Sequence, residues 1–256
     1  AIGNENHMDA KLKASFLEKW EKYFPGSELP IACYYSDELN GAEFPERPKP
    51  NKHGLTCLFS QLAPVRRGKA RAFNQDNLGC WGSKGVLGFI PSEADEQAIN
   101  FLVNVELYKK SAAHIKAMFN TNPPLPAEGM YLIFKRWDLL SEKDRPQVVF
   151  CFCKPDVLSG LHGLANYDAM HPHGVIAPFW SGCDMLIGSA MKELKSPDPK
   201  AVMGLFDPSA RICVKPDLLS FSIPWPKFTC MLENMDDCFL NTYIWEIIRK
   251  RLDPDE

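Results

Sequence analysis

Apolar residues at Leu12, Phe16, Leu17, Trp20 and Phe24 recur at helical spacing and predict an amphipathic helix with one buried face, ended by Pro25-Gly26. The run from Pro30 to Tyr35 reads as a short buried strand. Gln147 to Cys153 (QVVFCFC) is a continuous β-branched and aromatic run of the kind that fills a strand covered on both faces. Pro155 and Asp156 then open a helix whose Leu158, Leu161 and Leu164 share a side, running to Tyr167. By the same reading, helices are predicted over Gly54 to Ala63 (broken near Pro64), Glu93 to Val105, Tyr108 to Phe119, Cys183 to about Lys195, Pro226 to Met235 and Asn241 to Leu252. Strands are predicted at Met130 to Phe134, Gly174 to Phe179, Ala201 to Phe206 and Leu218 to Ile223. Ser36 to His53 is polar and proline-rich and reads as a loop.

Several successive strands lie too close together for βαβ crossovers, so the expected fold is α+β, a mixed β-sheet with packed helices. Gly79-Cys80 in the first half and Gly182-Cys183 in the second both precede a small-residue helix start, which raises the alternative of two similar halves. Residues 1–11 are expected to be disordered or vector-derived, because the stretch is polar and His7-Met8 is a common cloning junction. Residues 12–256 are expected to form a single domain, with a split into subdomains near 140–147 as the alternative.

Composition narrows the classes. The 256 residues are 45% hydrophobic and 24% charged with a formal charge of −3, which fits a soluble globular chain and excludes a collagenous or largely disordered one. No apolar run is long enough to span a bilayer and no secretion signal is seen, so the expected setting is cytoplasmic, without a membrane. Lacking a dominant basic block, the chain is not expected to bind nucleic acid. It has no G-x-G-x-x-G, no Walker lysine loop, no G-x-S-x-G elbow, no H-E-x-x-H and no paired C-x-x-C, which disfavours the common nucleotide enzymes, elbow hydrolases and zincins.

Nine cysteines are the unusual count. They are too many for a disulfide framework in a reducing compartment and too scattered for a compact zinc module. Cys80 and Cys183 each follow a glycine at a predicted helix start, where backbone N–H groups favour a thiolate that can act as nucleophile or metal ligand. Cys57, 23 residues before Cys80, approaches it if the intervening basic segment turns back. Three or four such thiolates would suit a transition metal or an iron-sulfur cluster. The nucleophile alternative needs a base, for which His171 or His173 is the candidate, and His171-Pro172-His173 with Cys183 and Asp184 would also suit a mixed metal site. Arg66 and Arg67, beside Gly68, suit a phosphate or carboxylate. Trp81, Trp180 and Trp225 lie in Gly- or Pro-rich surroundings, where aromatics wall pockets. Cys151 and Cys153 share a strand face and read as core; Cys213, Cys230 and Cys238 fall in no usable pattern. The bland alternative is an interaction protein whose cysteines are all core filler.

Taken in order, Arg66-Arg67-Gly68-Lys69, Asn77-Leu78-Gly79-Cys80 and Gly82-x-x-x-Val86-Leu87-Gly88-Phe89 resemble the signature of the family "domain of unknown function 169", the ArCR family. Val148 to Tyr167, Ser181-Gly182-Cys183-Asp184 and Asp217 to Pro224 (DLLSFSIP) resemble later elements of the same family, so the likeness runs from about Pro30 to Met235. The family brings no established activity. Its cysteine usage implies a metal, an iron-sulfur centre or another redox cofactor, with Cys57, Cys80 and Cys183 as the transferable ligands.

Overall fold

The computed structural model describes residues 8–46, 56–91 and 96–252. Its centre is one seven-stranded sheet made of β1 (Ile31–Ser36), β2 (Arg71–Phe73), β3 (Tyr131–Arg136), β4 (Val148–Cys153), β5 (Val175–Ile176), β6 (Ala201–Gly204) and β7 (Leu219–Pro224). The spatial order is β2-β3-β1-β4-β7-β6-β5, antiparallel except for the parallel β5–β6 pair. The sheet is therefore mixed and the fold is α+β, as the strand spacing predicted. β1 pairs with both β3 and β4, so the sheet is continuous across residues 140–147.

Helices cover both faces of the sheet, and each strand sorts its side chains by alternation. In β4, Val149, Cys151 and Cys153 face one layer, while Val148, Phe150 and Phe152 face the other. The first layer is aromatic. Ala10–Tyr23, Trp225–Asn234 and Tyr243–Lys250 bring to it Phe16, Trp20, Trp225, Phe228 and Trp245, Pro155–Asn166 adds Val157, Leu161 and Leu164, and Phe16, Trp225 and Phe228 gather around Trp137. Phe16 lies 4.4 Å and Phe228 4.9 Å from Trp137, ring centre to ring centre. The opposite layer is built from shorter pieces, Leu58–Gln61, Ala63–Arg66, Trp81–Val86, a π-helix at Asp184–Gly188, Ser189–Glu193 and Pro208–Arg211.

Local chemistry explains the helix ends. Asp9 Oδ1 accepts the Leu12 N–H at 2.6 Å and starts the first helix, and Gly26 at φ 63° turns the chain after it. Met8 is buried and the helix begins at Ala10, so the stretch expected to be unstructured is ordered from Met8 onward; residues 1–7 lie outside the described residues. Pro155 and Pro226 sit in first turns, where a missing N–H costs nothing.

Several expectations change. Pro64 lies in the first turn of Ala63–Arg66, so it opens a second short helix after Leu58–Gln61. The basic run leads into β2, which the sequence reading passed over. The helix expected from Tyr108 starts at Ala112 after Ser111; of the one expected from Glu93, residues 93–95 lie outside the described residues, and Glu96–Asn100 continues as a π-helix at Phe101–Val105. The strand expected over Gly174 to Phe179 shrinks to two residues.

Candidate functional site

Cys57, Cys80 and Cys183 each occupy the residue before a helical segment, Leu58–Gln61, Trp81–Val86 and Asp184–Gly188. All three segments lie on the same side of the sheet, and specific contacts draw them together. Thr56 Oγ1 donates to the Gly79 carbonyl at 2.8 Å, joining the residues just before Cys57 and Cys80. Ser83 Oγ lies 3.3 Å from Cys183 Sγ, joining the Cys80 helix to the third thiol. Gly182 sits so tightly between Phe59 and Ala210 that a Cβ there would stand 2.8 Å from the ring and 2.5 Å from the alanine methyl. Only glycine lets the Cys183 turn approach both neighbours this closely.

The contact with Ala210 brings in a residue the sequence reading had left without a pattern. Cys213 follows the short Pro208–Arg211 helix, and its thiol is in hydrogen-bond contact with Cys57. Asp207 fastens this segment to the Cys183 turn: its carboxylate accepts the Gly182 N–H at 2.8 Å, the Ser209 N–H at 3.0 Å and the Ser209 hydroxyl at 2.8 Å. No short motif around Cys213 advertises this. The signal in the sequence was the acidic cap and proline of Asp207-Pro208, which start the helix that delivers it.

Burial governs the thiols. Desolvation, then the neighbouring Cys213, pushes the Cys57 thiol up to about 12, despite a backbone N–H bond from Phe59 that favours the thiolate. Cys183 is raised as well, by its complete burial first and then by the presence of Cys57 and Cys80. Without a partner cation the Cys57 and Cys183 thiols hold their protons at neutral pH.

The other expected site residues are placed differently. Arg66 makes a two-pronged ion pair with Glu28, one arm at 2.7 Å, and its guanidinium lies 4.7 Å from the Phe152 ring centre. Arg66, expected to meet an anionic ligand, is thus paired with Glu28 here, while Arg67 is exposed. Trp81 is 55% exposed, so it flanks Cys80 on the surface instead of walling a pocket. Trp180 is buried against Phe119, and Trp225 belongs to the aromatic layer on the far face. His171 Nε2 pairs with Asp198 at 2.9 Å on an exposed loop, whereas the Cys183 thiol meets Ser83. Cys151 and Cys153 are core, as their strand position predicted.

Buried polar groups surround the thiols. Asp184, completely buried, is held by Ser189 Oγ at 2.5 Å, Lys192 Nζ at 3.3 Å and Asn122 Nδ2 at 3.4 Å. Tyr108 stacks on Phe179, and its hydroxyl is buried without a hydrogen-bond partner; burial first, then Asp207, Asp184 and Glu106, keep that hydroxyl protonated. Leu107 and Leu205 adopt φ of 51° and 69°, a region that disfavours leucine, next to Tyr108 and close in sequence to Asp207. Among the described residues no three His, Cys, Asp or Glu side chains are gathered as ligands of one metal ion.

The model of the DUF169 family, described as uncharacterised ArCR, matches residues 24–234, and the chain belongs to this family. Neither the curated proteins nor the solved structures gave a match. Among the described residues no helix is long and apolar enough to cross a membrane.

Proposed function

We propose that this protein carries a thiophilic metal cofactor, an iron-sulfur cluster in the first instance, ligated by Cys57, Cys80 and Cys183. The observation that supports it is the joining of three helix-start cysteines, separated by up to 126 positions in the chain, through the Thr56–Gly79, Ser83–Cys183 and Gly182–Phe59 contacts. Core filler has no need of such an arrangement. A cluster places its irons and bridging sulfides between the ligand sulfurs, so its thiolates stand farther apart than those around a single ion. The Ser83 hydroxyl beside Cys183 would tune the ligating sulfur.

Anaerobic purification followed by iron, acid-labile sulfide and zinc analysis tests the reading, with reconstitution by ferrous iron and sulfide where the centre has been lost. Bound metal in the wild type, abolished in Cys57→Ser, Cys80→Ser and Cys183→Ser, is the expected result; metal content unchanged in all three variants would refute it. The pH dependence has a definite sign. Burial raises the Cys57 and Cys183 thiols, so ligation must displace their protons, and affinity rises with pH across the neutral range.

A further inference from the structure

Residues 96–122 fold as a strap. Glu96–Asn100, the π-helix at Phe101–Val105 and Ala112–Thr121 pack on one another, and among the described residues none of theirs joins the apolar clusters on either face of the sheet. The strap grips residues 179–184, the segment that carries the Cys183 turn. Tyr108 stacks on Phe179 with ring centres 4.9 Å apart, Lys109 Nζ lies 4.9 Å from the centre of the same Phe179 ring, and Phe119 meets Trp180 edge-on at 5.0 Å. At the end of the strap Asn122 Nδ2 donates to the buried Asp184 carboxylate at 3.4 Å, and Asn122 Oδ1 accepts from Lys192 Nζ at 2.7 Å. Asp184 follows Cys183 directly, so this latch closes one residue away from a thiol that is itself buried.

The observed position of the strap carries costs. Leu107 sits at φ 51°, in the left-handed region, with 77% of its surface exposed, and Phe101 and Val105 also turn to solvent. The Tyr108 hydroxyl is buried without a hydrogen-bond partner. Opening relaxes the backbone at Leu107 and hydrates that hydroxyl, and it gives up little apolar burial, because Ala98, Ile99 and Ile115 are the buried apolar residues of the strap. Segments with few buried apolar contacts open at a lower free energy than the sheet they rest on. We propose that residues 96–122 are a lid over the Cys183 turn, latched by Asn122 between Asp184 and Lys192, and that its local opening admits solvent and ligands to that thiol. The lid goes beyond the metal-binding function proposed above and does not rest on it.

Hydrogen–deuterium exchange of the full-length protein, read by mass spectrometry, tests the lid together with the rate at which iodoacetamide labels Cys183. Both are measured after chelation, so that no bound metal shields the thiol. In the wild type the lid amides are expected to exchange about tenfold or more faster than those of β4 and β7. Asn122→Ala removes the two latch bonds and should speed exchange of the lid and of residues 179–184 about tenfold further, with Cys183 labelling rising in step and β4 and β7 unchanged. Tyr108→Phe removes the orphan hydroxyl and should slow lid exchange and labelling several-fold. A wild-type lid that exchanges no faster than β4 and β7 overturns the proposal. So does a looser lid in Asn122→Ala with Cys183 labelling unchanged, since the segment would then move without gating the thiol. Equal acceleration of lid and sheet refutes the latch, because Asn122 would then act on global stability. Should Asn122→Ala fail to fold, Tyr108→Phe decides, and unchanged exchange and labelling in that variant refute the lid. Metal uptake enters none of these readouts, so failure of the lid and failure of the metal-binding reading are told apart.

Discussion

The two faces of the sheet are built on opposite plans. One is covered by long helices that interlock aromatic rings around Trp137, with cysteines serving as small filler. The other is covered by short helical segments, one of them the π-helix at Asp184–Gly188, and holds Cys57, Cys183, the completely buried Asp184 and Leu205 in its left-handed conformation; the opposite side has a completely buried carboxylate of its own, Asp144, paired with Lys135 at 2.7 Å. Among the described residues, Gln61 Oε1, Ser220 Oγ and Ser222 Oγ are buried without a partner on this second side, against Trp20 Nε1 on the aromatic side; Tyr108 Oη and Trp180 Nε1 are unpartnered as well. Unpartnered polar atoms and interrupted helices cost stability and collect where a protein has work to do. The aromatic layer supplies the rigidity that lets the cysteine layer carry those costs.

The largest test of this division is Trp137→Ala. Its ring is fully buried among Phe16, Trp225 and Phe228, and removing a buried tryptophan costs about 3–5 kcal/mol. Urea unfolding should show that loss, while the fraction that remains folded loads metal as the wild type does. A loss below about 1 kcal/mol would mean that the aromatic layer is not the mechanical half of the molecule.

Paired glycines sharpen the contrast. A Cβ at Gly160 would stand 2.3 Å from the Trp245 ring and 2.7 Å from Phe24, and one at Gly182 would press on Ala210 and Phe59. Either alanine overpacks a tight contact, for which about 1–3 kcal/mol is expected. Only Gly182→Ala also spreads the segments bearing Cys57, Cys183 and Cys213. It should lower metal occupancy in the folded protein, and Gly160→Ala should not; equal occupancy in the two would break the link between that close approach and the site.

How much of this was legible follows from how local each cause is. Asp9, the Phe16–Trp20 stripe, the β4 run and Pro155 act within a few residues, and the elements they define appeared where the pattern put them. Gly79-Cys80 and Gly182-Cys183 marked helix starts for the same reason. The π-helix at Asp184–Gly188 was read as the start of an ordinary helix, because the apolar spacing of the two is nearly alike over one turn. The three residues of β2 were hidden inside a basic run, and strand order arises from pairings that no local pattern encodes. The pairing of Arg66 with Glu28, 38 residues away, likewise has no local sign. Cys213 was missed on the same ground: its neighbours in sequence are unremarkable, and its neighbours in space are Cys57 and the Gly182 turn.

The smallest expected effect concerns the unpartnered hydroxyls of β7. Ser220 and Ser222 are fully buried, and alternation with Phe221 and Ile223 turns them toward the cysteine side, where Ser222 pairs across the sheet with Val202. Burying a hydroxyl without a partner carries a desolvation penalty of about 1–3 kcal/mol, and deleting it recovers part of that at the expense of one lost atom of packing. Ser222→Ala should therefore leave stability unchanged or raise it by about 1 kcal/mol in urea unfolding, without altering metal content. A destabilisation of similar size would show that the hydroxyl has a partner in solution. Because Ser222 lies deep in the sheet, that partner would be an ordered water or a bound polar group inside the cysteine layer, and the difference between the two faces would then be one of occupancy as well as of packing.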